Sequence, residues 1–196
     1  MNPRPRVLPP ALATAAFVAA AVGAQLLLQS VFATVDHPET LLRSNHNADA
    51  DTARDWHRIL LEQGTLDRMI RTEQVDYLWM AALAAALVSI TLLASRLLAV
   101  RAPLASARLR RFAPWAALAP AVDAAENAVS LLMLSDPLGF PAPLAAVHAA
   151  LAWLKLMAIA AVAVGASGYA LAAALGGERH GGEGSVSPRG AAAGPP

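Results

Sequence analysis

The sequence predicts an all-α protein, a four-helix transmembrane bundle with short amphipathic helices in the loop between the first two spans. Hydrophobic residues make up 57% of the 196 residues and charged residues 15%, whereas a soluble domain has ~25% charged residues. The apolar residues form long Ala/Leu/Val runs that alternate with short charged segments. Four of these runs reach the ~20 residues that a helix needs to cross the hydrocarbon core.

The four predicted spans differ in how they begin and end. The first has no charge, and the second contains nineteen uncharged residues between Asp76 and Arg96. The third follows LRRFAP and ends at SDPLGFPAP, and the fourth begins at Pro143, where a helix start tolerates proline. The predicted spans cover about residues 9–33, 77–99, 113–134 and 143–175.

Arginine placement predicts the orientation. Arginines lie in residues 1–8 and in the connection after the second span, whereas residues 36–76 hold nine acids against five arginines. By the positive-inside rule, the N-terminus (1–8) and the Gly/Pro/Ser-rich tail (176–196), which we expect to be disordered, are cytoplasmic, and the acidic loop is outside. The expected location is therefore the cytoplasmic membrane.

The first span could instead be a signal peptide cleaved after Ala33. Its apolar run, Val7 to Leu28, is longer than the ~7–15 residues of a signal core. We therefore favour a retained span, and the topology downstream is the same in both cases.

The outer loop (36–76) is expected to contain two short amphipathic helices separated at Gly64 and Thr65. The apolar residues that share a helical face are Trp56, Ile59 and Leu60 in the first, and Leu66, Met69 and Ile70 in the second. They could lie over the outer end of the bundle or form a solvated connector.

The third span carries a polar stripe in PAVDAAENAVSLL, residues 120–132. Asp123, Glu126 and Asn127 are spaced i, i+3 and i+4 and share one helical face, which Ser130 extends. Pro120 cannot donate its backbone hydrogen bond, so we expect a kink there. Charged side chains at mid-membrane cost ~2.5–3.5 kcal/mol each, so the stripe should face the bundle interior.

The fourth span supplies the predicted partners, His148 and Lys155, which is the only lysine in the chain. The two helices run in opposite directions, and matching their depths predicts an ion pair between Asp123 and Lys155. Two carboxylates then face one lysine, so we expect Glu126 to hold a proton and to share hydrogen bonds with Asn127 or His148. Gln25 and Gln29 of the first span are possible contributors.

Several chemistries are excluded or find little support. The chain has no cysteine, which excludes disulfides, iron–sulfur clusters and Cys-based zinc sites. No basic stripe, phosphate loop or catalytic motif is present, so we expect no nucleic-acid partner and no cofactor. Histidines and aspartates between His37 and His57 could bind a divalent cation, but these are ordinary surface residues, and no metal is expected.

The order of three motifs resembles a group of uncharacterised four-span bacterial membrane proteins. These motifs are DWHRILLEQG (55–64), DYLWMAAL (76–83) and D-x-x-E-N in the third span (DAAEN, 123–127). The resemblance covers about residues 10–175, although Ala81–Leu83 stand where an aromatic residue belongs. It implies that Asp123, Glu126 and Asn127 act as a unit, and it implies no activity.

Three functions fit this pattern. In the first, the intramembrane polar site binds a small molecule, a lipid or a proton. In the second, the protein is a structural subunit of a homo- or hetero-oligomer, and the polar residues only hold helices together. In the third, it is a lipid-modifying enzyme with Glu126 as general acid/base. The third ranks last because no nucleophile can be identified.

Overall fold

The computed structural model describes residues 7–176, with side chains through residue 162. The predictions made for residues 1–6 and for the tail from 177 onward lie outside the described residues. All regular structure in the described part is helical, as predicted. The helices are α1 (Leu8–Phe32), α2 (Leu41–Asn45), α3 (Ala50–Glu62), α4 (Leu66–Leu98), α5 (Pro103–Phe112), a 3₁₀ segment (Ala113–Ala117), α6 (Leu118–Ser135) and α7 (Pro143–Gly176).

Four helical stretches are long and apolar enough to cross a membrane, which fits a multi-pass membrane protein. Helix α1 packs along α4, α6 packs along α7, and α4 joins the two pairs through its contacts with α6 and the 3₁₀ segment. We call the end of the bundle that carries α2 and α3 the loop end. The opposite end, where α4 is followed by α5, is called the arginine end.

Helix α3 packs over one end of the bundle, as in the first of the two arrangements expected for the loop, and is not a loose connector. It docks onto the loop end, where Leu60 is fully buried against Val35, Met69 and Leu134. A neighbouring cluster buries Phe140 of the α6–α7 connection between α3, α6 and α7. We call α2, α3 and the α6–α7 connection (136–142) together the cap.

The second amphipathic helix of the loop is continuous with the second span, which differs from the prediction. Gly64 ends α3 with a left-handed φ of 66°, and α4 then runs unbroken from Leu66 to Leu98. The sequence between residues 66 and 77 contains no glycine or proline, so nothing interrupts the helix there. Residues 66–76, which the prediction assigned to the outer loop, therefore belong to the helix that contains the second span.

The irregularity expected at Pro120 lies just before it. Pro120 occupies the first turn of α6, where its missing N–H has no intrahelical partner to lose. The break takes the form of the 3₁₀ segment, which contains Pro114 and Ala116. Helix α6 is therefore regular along its entire polar stripe.

Candidate functional site

The polar face of α6 is buried, as its spacing predicted. Asp123, Asn127 and Ser130 are 5%, 4% and 8% exposed, and Glu126 is completely buried. This face meets both α4 and α7. Four polar side chains of one helix therefore lie in the interior of the bundle, away from lipid.

Helix α7 contributes the one cation of the site. Lys155 Nζ lies 2.7 Å from Asp123 Oδ1, which is the expected ion pair, and 2.7 Å from Glu126 Oε2. His148 is buried, with Nε2 4.0 Å from Glu126 Oε1. One ammonium group thus bridges two carboxylates whose side chains are spaced i, i+3 along α6.

Glu126 has different neighbours from those expected. Asn127 does not bond to it, because the amide of Asn127 donates to Asp76 Oδ2 at 2.8 Å. Despite the short contact with Lys155, neither oxygen of Glu126 accepts a hydrogen bond of good geometry from any described residue. Among the described residues, the short polar contact of Glu126 is with Lys155 Nζ, and the proton expected on Glu126 stays a prediction.

Two residues that α4 contributes to the site, Glu73 and Asp76, were missed by sequence reasoning. Ser130 Oγ donates to Glu73 Oε1 at 2.7 Å, and Asp76 receives the Asn127 bond. Tyr77 of α4 donates to the backbone oxygen of Ala124 at 3.0 Å. A signal was available, since Met69, Glu73, Asp76 and Met80 follow the i, i+4, i+7, i+11 spacing of one helical face.

The site therefore joins three helices, and we call it the polar cluster. Its members are Glu73 and Asp76 of α4, Asp123, Glu126, Asn127 and Ser130 of α6, and His148 and Lys155 of α7. Gln25 is half-buried and Gln29 is exposed on α1, and neither side chain hydrogen-bonds to a residue of the cluster within the described part of the chain. The two glutamines therefore do not contribute to it.

A small cavity connects the polar cluster with the cap. Its volume is about 30 Å³, above the ~10–15 Å³ that a cavity needs to hold a water molecule. The residues of its wall that can exchange protons or donate hydrogen bonds include His37, Trp56, His57, Glu73, Ser130 and His148. Polar groups of the cap and of the spans thus meet around a space of molecular-water size.

The cap is held to the bundle by polar contacts made by α3. His57 Nδ1 donates to the backbone oxygen of Pro137 at 3.1 Å. Arg54 donates to the backbone oxygen of Phe140 at 2.8 Å and stacks over its ring, 5.0 Å from the centroid. These contacts fix α3 directly above the cavity.

The acidic and histidine residues of the loop make structural contacts. Asp49 caps α3 by accepting from the backbone N–H groups of Asp51 and Thr52, and Asp51 pairs with Arg54 at 2.7 Å. His46 Nδ1 bonds to the backbone oxygen of Leu42 at 2.7 Å. Across the described residues, no group of three or more His, Asp or Glu side chains is arranged to hold a metal ion.

Acidification is expected to loosen the cap. Burial lowers the pKa of His57 below its ordinary value of 6.5, partly offset by the bond to Pro137. Unfolded His57 therefore binds a proton at a higher pH than folded His57, and the stability of the cap falls as the pH drops below about 6.5. Amide hydrogen exchange in α3 should accelerate between pH 7 and pH 5.

The matched variant is His57→Asn, whose amide can still donate to Pro137 but does not titrate. Its α3 exchange should depend less on pH than that of the wild type. Some dependence should remain, because burial also lowers the pKa of His37. An unchanged pH profile in the variant would show that His57 is not responsible.

Comparison of the chain with protein-family models, with curated proteins and with solved structures finds no significant match. The chemistry of the polar cluster is therefore the basis for assigning a function.

Proposed function

We propose that this multi-pass membrane protein binds protons in the polar cluster and exchanges them with the loop-end side. The main support for this proposal is the charge imbalance of the polar cluster. The cluster holds four carboxyl groups, those of Glu73, Asp76, Asp123 and Glu126, against the single ammonium group of Lys155, so full ionisation would leave a net charge of −3. Bound protons remove the excess charge, which is costly inside a membrane.

The size of the cavity favours the proton over the other ligands considered. Pockets for drug-sized molecules measure roughly 300–1,000 Å³, whereas this cavity measures about 30 Å³. A lipid or metabolite does not fit the space, but one water molecule does. The ligands that suit the site are therefore a water molecule and the protons that this water can pass on.

Access from the loop end follows from the lining of the cavity. Glu73 and His148 of the long helices line it, together with His57 of the cap and His37 of the connection between α1 and α2. Histidine changes charge near neutral pH and is the side chain most often used to pass protons. Under the positive-inside rule, the loop end faces outward, so protons would be exchanged with the external medium.

The alternative function is a structural or assembly subunit. The Asp123–Lys155 ion pair and the Ser130–Glu73 hydrogen bond link three helices and would serve as interhelical contacts without any bound proton. This alternative predicts a cluster whose protonation state does not change with external pH.

Infrared difference spectroscopy separates the two functions. We expect wild-type protein in lipid to show the carbonyl stretch of a protonated, buried carboxyl at neutral pH. Because the cluster holds four carboxyl groups against one ammonium group, this band should weaken in Glu126→Gln and in Glu73→Gln. It should also shift when the external water is replaced by D₂O. Glu62→Gln, which removes an exposed carboxylate from α3, is the matched control and should leave the band in place.

Two results would contradict the proposal. The first is a spectrum in which all carboxyl groups are ionised at neutral pH. The second is a band that is unchanged in both Glu126→Gln and Glu73→Gln and does not respond to D₂O, which would describe a sealed structural contact and favour the assembly subunit.

A further inference from the structure

A second site lies on the opposite side of α4 from the polar cluster, in the groove between α1 and α4. Its volume is about 610 Å³, within the ~300–1,000 Å³ of pockets that hold small-molecule ligands. The groove is open on one side and lies next to the loop end, where α1 finishes at Phe32. The groove therefore lies on the lipid-facing surface, at the level of the boundary between the hydrocarbon core and the headgroups.

The groove has an apolar part and a basic part. Its apolar wall is formed by Leu27, Val31 and Val75, and its basic part by Arg68 and Arg71. Both arginines project from the first two turns of α4 and are exposed. The groove therefore combines an apolar surface that suits an acyl chain with a basic surface that suits an anion.

The two guanidinium groups retain donors for a ligand. Arg68 uses one N–H to donate to the backbone oxygen of Thr34 at 2.9 Å, which orients its side chain over the groove. Arg71 forms no ion pair with any described residue, although Asp67 precedes it by one helical turn. Guanidinium groups bind phosphate through paired N–H donors, and two of them favour a ligand with net negative charge.

We infer that the α1–α4 groove binds an anionic phospholipid. The lipid phosphate contacts Arg68 and Arg71, and the glycerol and upper acyl segments lie along Leu27, Val31 and Val75. Charge complementarity identifies the headgroup, and immersion of both helices in the membrane supplies the acyl chain. This inference concerns a different face of α4 and does not depend on proton binding in the polar cluster.

Native mass spectrometry of the full chain in detergent tests this inference, with phosphatidylglycerol and phosphatidylcholine added at equal concentrations. We expect the wild-type protein to retain phosphatidylglycerol in preference to phosphatidylcholine. The Arg71→Gln variant should bind phosphatidylglycerol about tenfold more weakly. Arg58→Gln removes the same charge from an exposed position on α3, where Arg58 pairs with Asp55, and should bind as the wild type does. Free inorganic phosphate should not displace the lipid.

Val75→Trp provides a second test that leaves every charge in place. It fills the apolar part of the groove and should reduce phosphatidylglycerol binding although both arginines remain. The inference is overturned if Arg58→Gln weakens binding as much as Arg71→Gln, if Val75→Trp has no effect, or if inorganic phosphate competes with the lipid.

Discussion

Replacing Lys155 with methionine is expected to lower the free energy of unfolding by about 3–5 kcal/mol, the cost of breaking a buried ion pair by removing one partner. Lys155 is the only group within 4.0 Å of Asp123 and Glu126 that carries a fixed positive charge in the described bundle. Without it, Asp123 loses its counter-ion and Glu126 loses its short polar contact. Thermal unfolding in detergent, followed by circular dichroism, measures the loss.

A compensating variant distinguishes loss of charge balance from loss of packing. Adding Asp123→Asn and Glu126→Gln to Lys155→Met removes both uncompensated carboxylates and should recover most of the stability. If the triple variant is no more stable than Lys155→Met, the effect comes from packing of the lysine side chain. The ion pairs would then contribute little to holding α6 against α7.

Replacing Phe140 with alanine is expected to cost about 3–5 kcal/mol, the usual cost of truncating a buried phenylalanine. Its side chain is 1% exposed and packs against α3, Met133 and Ala145. The variant also removes the ring over which Arg54 stacks. Thermal unfolding should show the loss, and amide exchange in α3 should increase more than in the other helices because the cap loses its central contact.

Leu138→Ala is the matched control, since Leu138 lies in the same connection but is 45% exposed. It should change the unfolding temperature little. Equal effects of the two substitutions would mean that a substitution anywhere in the α6–α7 connection destabilises the protein. Phe140 would then have no special role in fixing the cap.

The sequence allowed some parts of the site to be predicted because they depend on local periodicity. The spacing of Asp123, Glu126 and Asn127 defines a helical face, and the opposite directions of α6 and α7 place Lys155 level with Asp123. Both deductions require only the geometry of a helix and the thickness of a membrane.

Other parts depend on more than local periodicity. Glu73 and Asp76 lie in a charged stretch that hydropathy assigns to a loop, and only the unbroken course of α4 brings them beside Asn127 and Ser130. Gln25 and Gln29 share a helical turn, but periodicity does not say which neighbour α1 packs against. Docking of the cap depends on contacts between residues far apart in the chain, such as Leu60 with Leu134.

The position of the polar cluster along α6 has a consequence for its response to membrane voltage. Ser130, which bonds to Glu73, and Asp123, which pairs with Lys155, are seven residues apart on one helix, or about 10 Å along its axis. That is about one third of a hydrocarbon core ~30 Å thick. A proton moving from Glu73 to Asp123 would therefore cross a substantial part of the transmembrane field, worth about 0.8 kcal/mol per 100 mV. Proton occupancy of the proposed site would then depend on the electrical state of the membrane as well as on pH.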